Sequence, residues 1–92
     1  MKLRWTLRAL ADLQRLADRI AADGKPLAAG PFVDELVGKA ERLVQQPLLG
    51  RIGRLDDTRE LIVHRNYLLT YRVRSDEVQL LQVWHVARER RD

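Results

Sequence analysis

Apolar and polar residues alternate from Lys2 to Trp5, the period of a short strand of about five residues. Thr6 then stands as the N-cap of a helix that begins at Leu7. Its N3 position is Ala9, so no capping box supports the start. Leu10, Leu13, Ala17 and Ile20, with Leu16 and Ala21 beside them, recur with helical spacing and predict an amphipathic helix. Arg8, Asp12, Arg15, Asp18 and Arg19 are assigned to its polar face. Gly24 and Pro26 end it. A second helix is predicted from Leu27 or Ala28 to Gln46, with Gly30-Pro31 weakening or delaying its start. Phe32, Leu36, Ala40 and Leu43 form its apolar row, flanked by Val33, Val37 and Val44. Two such helices joined by about four residues make an antiparallel hairpin, and each stripe needs a surface to bury against.

The rest of the chain supplies that surface. Pro47 to Asp57 reads as a loop rich in Gly and Arg. Three β-type runs follow, Thr58–His64, Tyr67–Arg74 and Val78–Val86, separated by Arg65-Asn66 and Ser75-Asp76-Glu77. Links this short imply antiparallel hairpins. In the second run Leu69, Tyr71 and Val73 alternate with Thr70, Arg72 and Arg74, predicting one apolar and one polar, basic face. The third run is apolar on both parities, as a central strand would be. The expectation is an α+β fold of order β-α-α-β-β-β, a helical hairpin on one face of a mostly antiparallel sheet. Residues 1–92 are expected to form a single domain.

Composition narrows the chemistry. At 92 residues, 46% hydrophobic, the chain has room for one thin core and is too apolar to be disordered. With no cysteine there is no disulfide framework, thiolate metal site or thiol nucleophile. No apolar run approaches the roughly 20 residues of a membrane span, and no signal-peptide core follows the N-terminal charges. A cytoplasmic location without a membrane partner is expected. The formal charge is +4, carried by 14 Arg and 3 Lys against 13 acids. Residues 1–50 hold 8 basic and 6 acidic side chains and residues 51–92 hold 9 and 7, so no basic tail exists. The Arg bias suits phosphate or carboxylate contacts, hence nucleic acid or an acidic protein.

Several chemistries find no support. Gly50-x-x-Gly53 lacks the following Lys-Ser/Thr and the strand-to-helix context of a phosphate loop. His64 and His85 have no carboxylate or Cys cluster at ligand spacing, so neither zinc nor another cofactor is implied. Ser75, the only serine, falls in a turn, which disfavours a Ser-His-Asp arrangement. The polar set left near the sheet is Arg59, Glu60, His64, Arg72, Arg74, His85 and Arg88. Two readings of it stand: ion pairs, a half-buried histidine and a solvated terminus, or an Arg/His surface for phosphates or an acidic protein. Metal-free RNA cleavage could run on such a surface, with a general acid/base and cations beside a pentacovalent phosphate.

The ordered pieces Leu3-Arg4-Trp5-Thr6, Ala9-x-x-Asp12-Leu13, Pro47-x-x-Gly50-Arg51, Thr58-Arg59-Glu60-Leu61, Asn66-Tyr67-Leu68-Leu69-Thr70-Tyr71-Arg72-Val73 and Val78-x-Leu80-Leu81-x-Val83-Trp84-His85-x-x-Arg88 span nearly the whole chain. In this order and spacing the chain resembles the RelE/ParE superfamily of type II toxin–antitoxin toxins, whose fold is the one read above. The resemblance implies one of two activities. RelE-like members are ribosome-dependent endoribonucleases that cut mRNA; ParE-like members are associated with poisoning of DNA gyrase. The ribonuclease branch carries an Arg directly after the Tyr that opens its third strand, where this chain has Leu68, and a C-terminal Tyr, where this chain has none after Tyr71. Tyr71-Arg72-Val73 and Trp84-His85-x-x-Arg88 look more ParE-like, although His85 and Arg88 occur in both branches. The resemblance therefore implies a ParE-like, plasmid-stabilization type of toxin that binds gyrase, and Arg59, Arg72, His85 and Arg88 are the residues expected to contact that target. Its expected partner is an acidic antitoxin, forming a hetero-oligomer. The alternatives are a RelE-like mRNA interferase acting on ribosome and mRNA with His85, Arg72 and Arg88 as catalytic residues, and a module that has lost toxicity.

Overall fold

A computed structural model describes residues 1–89. β1 (Lys2–Trp5) leads into α1 (Leu7–Ala22) and α2 (Pro26–Glu41), which ends in a single 3-10 turn over Arg42–Val44. β2 (Arg51–Ile52), β3 (Arg59–His64), β4 (Tyr67–Arg74), β5 (Glu77–His85) and α3 (Val86–Glu89) follow. The sheet has the order β1-β5-β4-β3-β2; β1 runs parallel to β5 and every other pair is antiparallel. This is the expected α+β architecture, with the helical hairpin on one face. β2 and α3 are additions to the predicted elements, β2 lying inside the segment read as loop.

Thr6 starts α1 and ties it to the sheet. Its Oγ1 accepts the Ala9 N–H at 3.2 Å and donates to the Leu80 carbonyl at 2.7 Å. α2 starts one or two residues earlier than expected, because Pro26 occupies a first-turn position where no N–H is needed. Pro31 is carried inside it rather than delaying it. The Leu27 carbonyl that a Pro31 N–H would have met belongs to a residue 91% exposed, so losing that bond leaves no buried group unpaired.

The core lies between helices and sheet: Ala9, Leu13, Leu16, Phe32, Leu36, Ala40 and Leu43 against Val63, Leu69, Tyr71, Val78, Leu80 and Val83. The α1 stripe differs from the sequence reading. Leu10 is 47% exposed, whereas Ala9 and Asp12 are fully buried. The cause is the unequal length of β1 and β5. β1 covers β5 only as far as Leu80, leaving the outer edge of its second half without a neighbouring strand. Asp12 turns inward to that edge and accepts the Val83 N–H at 2.9 Å. Arg8 and Arg15 bridge its other oxygen from the exposed side, at 3.3 and 3.1 Å. A buried carboxylate is tolerated because donors satisfy it on both sides.

Two bulges re-aim the strands. Val63 is an extra residue between the pairs Ile62↔Leu68 and His64↔Tyr67, and Leu81 is extra between Thr70↔Gln82 and Tyr71↔Leu80. Past the second bulge Trp84 points away from the helices, beside Leu68 and Thr70. All three are buried, so the face of β4 expected to be polar is apolar at its Tyr67 end.

Candidate functional site

The helix-free face of the sheet carries the densest set of polar groups, in two halves. One half is a ladder. Arg72 Nε donates to Gln79 Oε1 at 2.7 Å, Gln79 Nε2 donates to Glu77 Oε1 at 2.8 Å, and Arg4 Nε donates to the same Glu77 oxygen at 2.9 Å. The Arg4 hydrogen bond, followed by that of Gln79, holds the Glu77 carboxyl below its usual range. Arg74 grips Asp57 through two hydrogen bonds of 3.0 and 2.8 Å, fixing the end of the Gly53–Asp57 segment. The other half is an apolar row, Ile62, Leu68 and Trp84, running across β3, β4 and β5. Trp84 Nε1 donates to Thr70 Oγ1 at 3.0 Å, and the Arg54 guanidinium sits 5.0 Å above the indole.

Charge follows the layers. Residues 7–44 hold six basic and six acidic side chains, so the hairpin is neutral and the +4 excess lies on the sheet, its loops and the C-terminal residues. The even distribution along the chain therefore hides an uneven one in space.

Of the four residues expected to contact a target, the three whose side chains the structure describes, Arg59, Arg72 and His85, do not converge. Arg59 points to the helix side at the sheet edge, where its guanidinium donates to the carbonyls of Gly50 at 2.8 Å and Leu48 at 3.4 Å. Arg72 belongs to the ladder on the opposite face, although both residues line one hollow of about 290 Å³ with Leu48, Ile52, Asp57, Thr58 and Val73. His85 lies at the far end of the sheet, edge-on to Tyr67 with ring centroids 4.8 Å apart. Tyr67 in turn meets Phe32 and His64, at 5.1 and 6.0 Å. Five residues of β4 separate the level of Arg72 from that of His85, about 16 Å at strand rise. Arg88 falls in α3, and its side chain lies outside the described part of the structure.

Sequence reasoning missed the clamp that shapes the loop before β3. Tyr71, fully buried, donates its hydroxyl to the Pro47 carbonyl at 2.8 Å and accepts the Gly50 N–H at 2.9 Å. Burial pushes its phenol pKa up, against opposing pulls from the Gly50 hydrogen bond and the Arg59 charge. Gly50 is required because a Cβ there would lie 2.8 Å from both the Glu60 carbonyl and the Tyr71 ring. The spacing Pro47-x-x-Gly50 followed by Arg59 and Tyr71 is thus one structural unit, and Arg59 is engaged in it.

Among the described residues no group of three or more His, Cys, Asp or Glu side chains could hold a metal ion, and no helix is long and apolar enough to cross a membrane. The chain matches known proteins along nearly its whole length. The sequence profile described as "ParE toxin of type II toxin-antitoxin system, parDE" matches residues 3–90. A protein of Sinorhizobium fredii named as toxin Y4kP is 38% identical over 85 residues, covering 91% of this chain and 86% of that protein. Toxin RelE2 of Caulobacter vibrioides is 37% identical over 84 residues, covering 91% and 93%. A solved structure of the chromosomal ParDE toxin–antitoxin system from P. aeruginosa superposes with a TM-score of 0.84 at 28% identity, covering 92% of this chain and 95% of that one. The fold and the relatives define a toxin of the RelE/ParE superfamily. Within it, the chain belongs to the ParE toxin family of type II toxin–antitoxin systems.

Proposed function

We propose that this chain is a growth-inhibiting toxin that acts by binding DNA gyrase, without chemistry of its own, and is neutralised by an acidic antitoxin. The observation that carries this reading is Leu68. Where a ribonuclease relative would place a phosphate-binding Arg, this chain buries a leucine, 4% exposed, in the apolar row between Ile62 and Trp84. A leucine there offers nothing to a phosphorane. The ParE profile and the ParDE structural neighbour support the same branch. The antitoxin follows from the same neighbour and from the charge: an acidic, partly disordered C-terminal segment would fold on binding in the groove between hairpin and sheet. Arg72, half-buried with the exposed Arg4 and Arg74 beside it, is the outer-face part of the target surface in this reading, while Arg59 supports the loop at its edge.

The second reading, an mRNA interferase using His85 with Arg72 and Arg88, draws on the RelE2 relative. The positions of His85 and Arg72 on opposite faces count against their sharing one phosphate. Induced expression in cells lacking the neighbouring gene separates the cases. Growth arrest with relaxed plasmid DNA and intact mRNA supports gyrase; arrest with mRNA cut inside coding frames, lost on His85→Ala, supports the interferase. Undisturbed growth would mean that toxicity is gone.

A further inference from the structure

The helix-free face contains a carboxylate that the fold leaves under-used. Glu60 is 7% exposed, yet its two hydrogen bonds are long. Arg51 Nη2 stands 3.5 Å from Oε1 and the Arg54 backbone N–H 3.3 Å from Oε2. Charge-assisted contacts normally close to about 2.7–2.9 Å. An ionised carboxylate has about four acceptor positions, so Glu60 can take further donors.

What surrounds it is a hollow of about 280 Å³ lined by Arg54, Leu55, Glu60, Thr70, Gln82 and Trp84. The Thr70 hydroxyl oxygen accepts the Trp84 indole N–H, and among the described residues its own proton has no acceptor. The Gln82 amide likewise makes no hydrogen bond there. The hollow thus combines an indole beneath a guanidinium, an acceptor pair, a hydroxyl donor and a free amide. Its volume falls just below the roughly 300–1,000 Å³ of drug-sized sites, room for one ring system with the remainder of a ligand outside.

We propose that this hollow is a guanine-binding pocket. The base lies against the Trp84 indole, displacing the Arg54 guanidinium upward into a cover, as aromatic and Arg planes commonly receive unstacked bases. Its adjacent N1–H and N2–H groups donate to the two oxygens of Glu60. Gln82 and Thr70 face the O6 and N7 acceptors, and the phosphate stays outside, near Arg51 and Arg54. Adenine presents an acceptor at N1 where guanine presents a donor, and that acceptor would repel the carboxylate. A lysine or arginine from a partner would also satisfy Glu60, but Arg51 and Arg54 already occupy the rim and repel a third cation. The pocket does not depend on which enzyme the toxin inhibits, so a negative gyrase result leaves it standing. The guanine could arrive as a free nucleotide or as an unpaired residue of a nucleic-acid strand.

The test uses the full chain carrying Trp5→Phe, which leaves Trp84 as the only indole. Trp84 fluorescence is titrated with GMP, with AMP, and with a thymidine oligonucleotide carrying one deoxyguanosine. Saturable quenching by GMP at least about tenfold tighter than by AMP is expected, as one bidentate pair would provide. Glu60→Gln should weaken GMP by a similar factor. Gln82→Ala should weaken it several-fold while melting at the parent temperature, which decides the matter if Glu60→Gln does not fold. An oligonucleotide binding more tightly than GMP identifies a strand as the source; equal affinity identifies the free nucleotide. No saturable quenching by millimolar GMP or by the oligonucleotide overturns the proposal. So does equal binding of GMP and AMP that neither substitution alters.

Discussion

Tyr71→Phe removes one oxygen atom from the centre of the clamp and should cost the fold far more than a surface change. The hydroxyl serves two backbone groups, the Gly50 N–H at 2.9 Å and the Pro47 carbonyl at 2.8 Å. Gly50 is buried, so its N–H would lose its partner without access to bulk water. An orphaned buried group of this kind costs about 1–3 kcal/mol. Pro47 is only half-buried and its carbonyl can rehydrate, which adds less. The sum is about 2–3 kcal/mol, or a fall in Tm of roughly 10–20 °C for a chain of this size. Circular dichroism melts of the two proteins measure it, and amide exchange should show the Gly50 N–H losing protection while the α1 amides keep theirs at matched stability. A Tm within 3 °C of the parent, with Gly50 still protected, would refute the reasoning.

The same residue sets an alkaline limb. Its phenol pKa is raised by burial, so the stability it contributes is complete below the ordinary value of about 10 and is lost as pH rises through the higher folded value. Urea titrations of Tyr71→Phe should lack that share of the loss, narrowing the gap to the parent at high pH. Asp12→Ala leaves the Val83 N–H without an acceptor and should cost about 2–3 kcal/mol in denaturant unfolding, whereas Asp18→Ala on the same helix should change stability by less than about 0.5 kcal/mol. Arg72→Glu replaces an outer-face cation whose only described side-chain hydrogen bond is to Gln79. It should leave the melt nearly unchanged and weaken inhibition of the target, measured as the dose needed for half-maximal effect.

The fold was legible because its signals are local. The Thr6 cap, the 3.6-residue stripe of Phe32, Leu36, Ala40 and Leu43, and the two-residue links between strands all depend on near neighbours in sequence. What was not legible depends on register. A bulge at Leu81 moves Trp84 to the outer face, and nothing in Leu80-Leu81-Gln82-Val83 announces which residue is extra. Asp12 read as a solvent-facing residue because its acceptor role is owed to a β5 edge 71 positions away. The structural part played by Arg59 was hidden for the same reason: the carbonyls it binds belong to a loop whose path Tyr71 decides. Arg72 was correctly read as facing away from the apolar side of β4, since alternation alone settles that. His85 and Arg72 were grouped as polar residues near the sheet and through the family resemblance, and neither says anything of face or level.

Purified gyrase, plasmid DNA and ATP, incubated with this chain and then denatured, test gyrase as the target most directly. Linear plasmid, marking trapped cleavage complexes, and loss of supercoiling are expected, both reversed when the antitoxin is added. Unchanged supercoiling without linear product, together with mRNA cleavage by the same preparation in a translating extract, would contradict gyrase as the target.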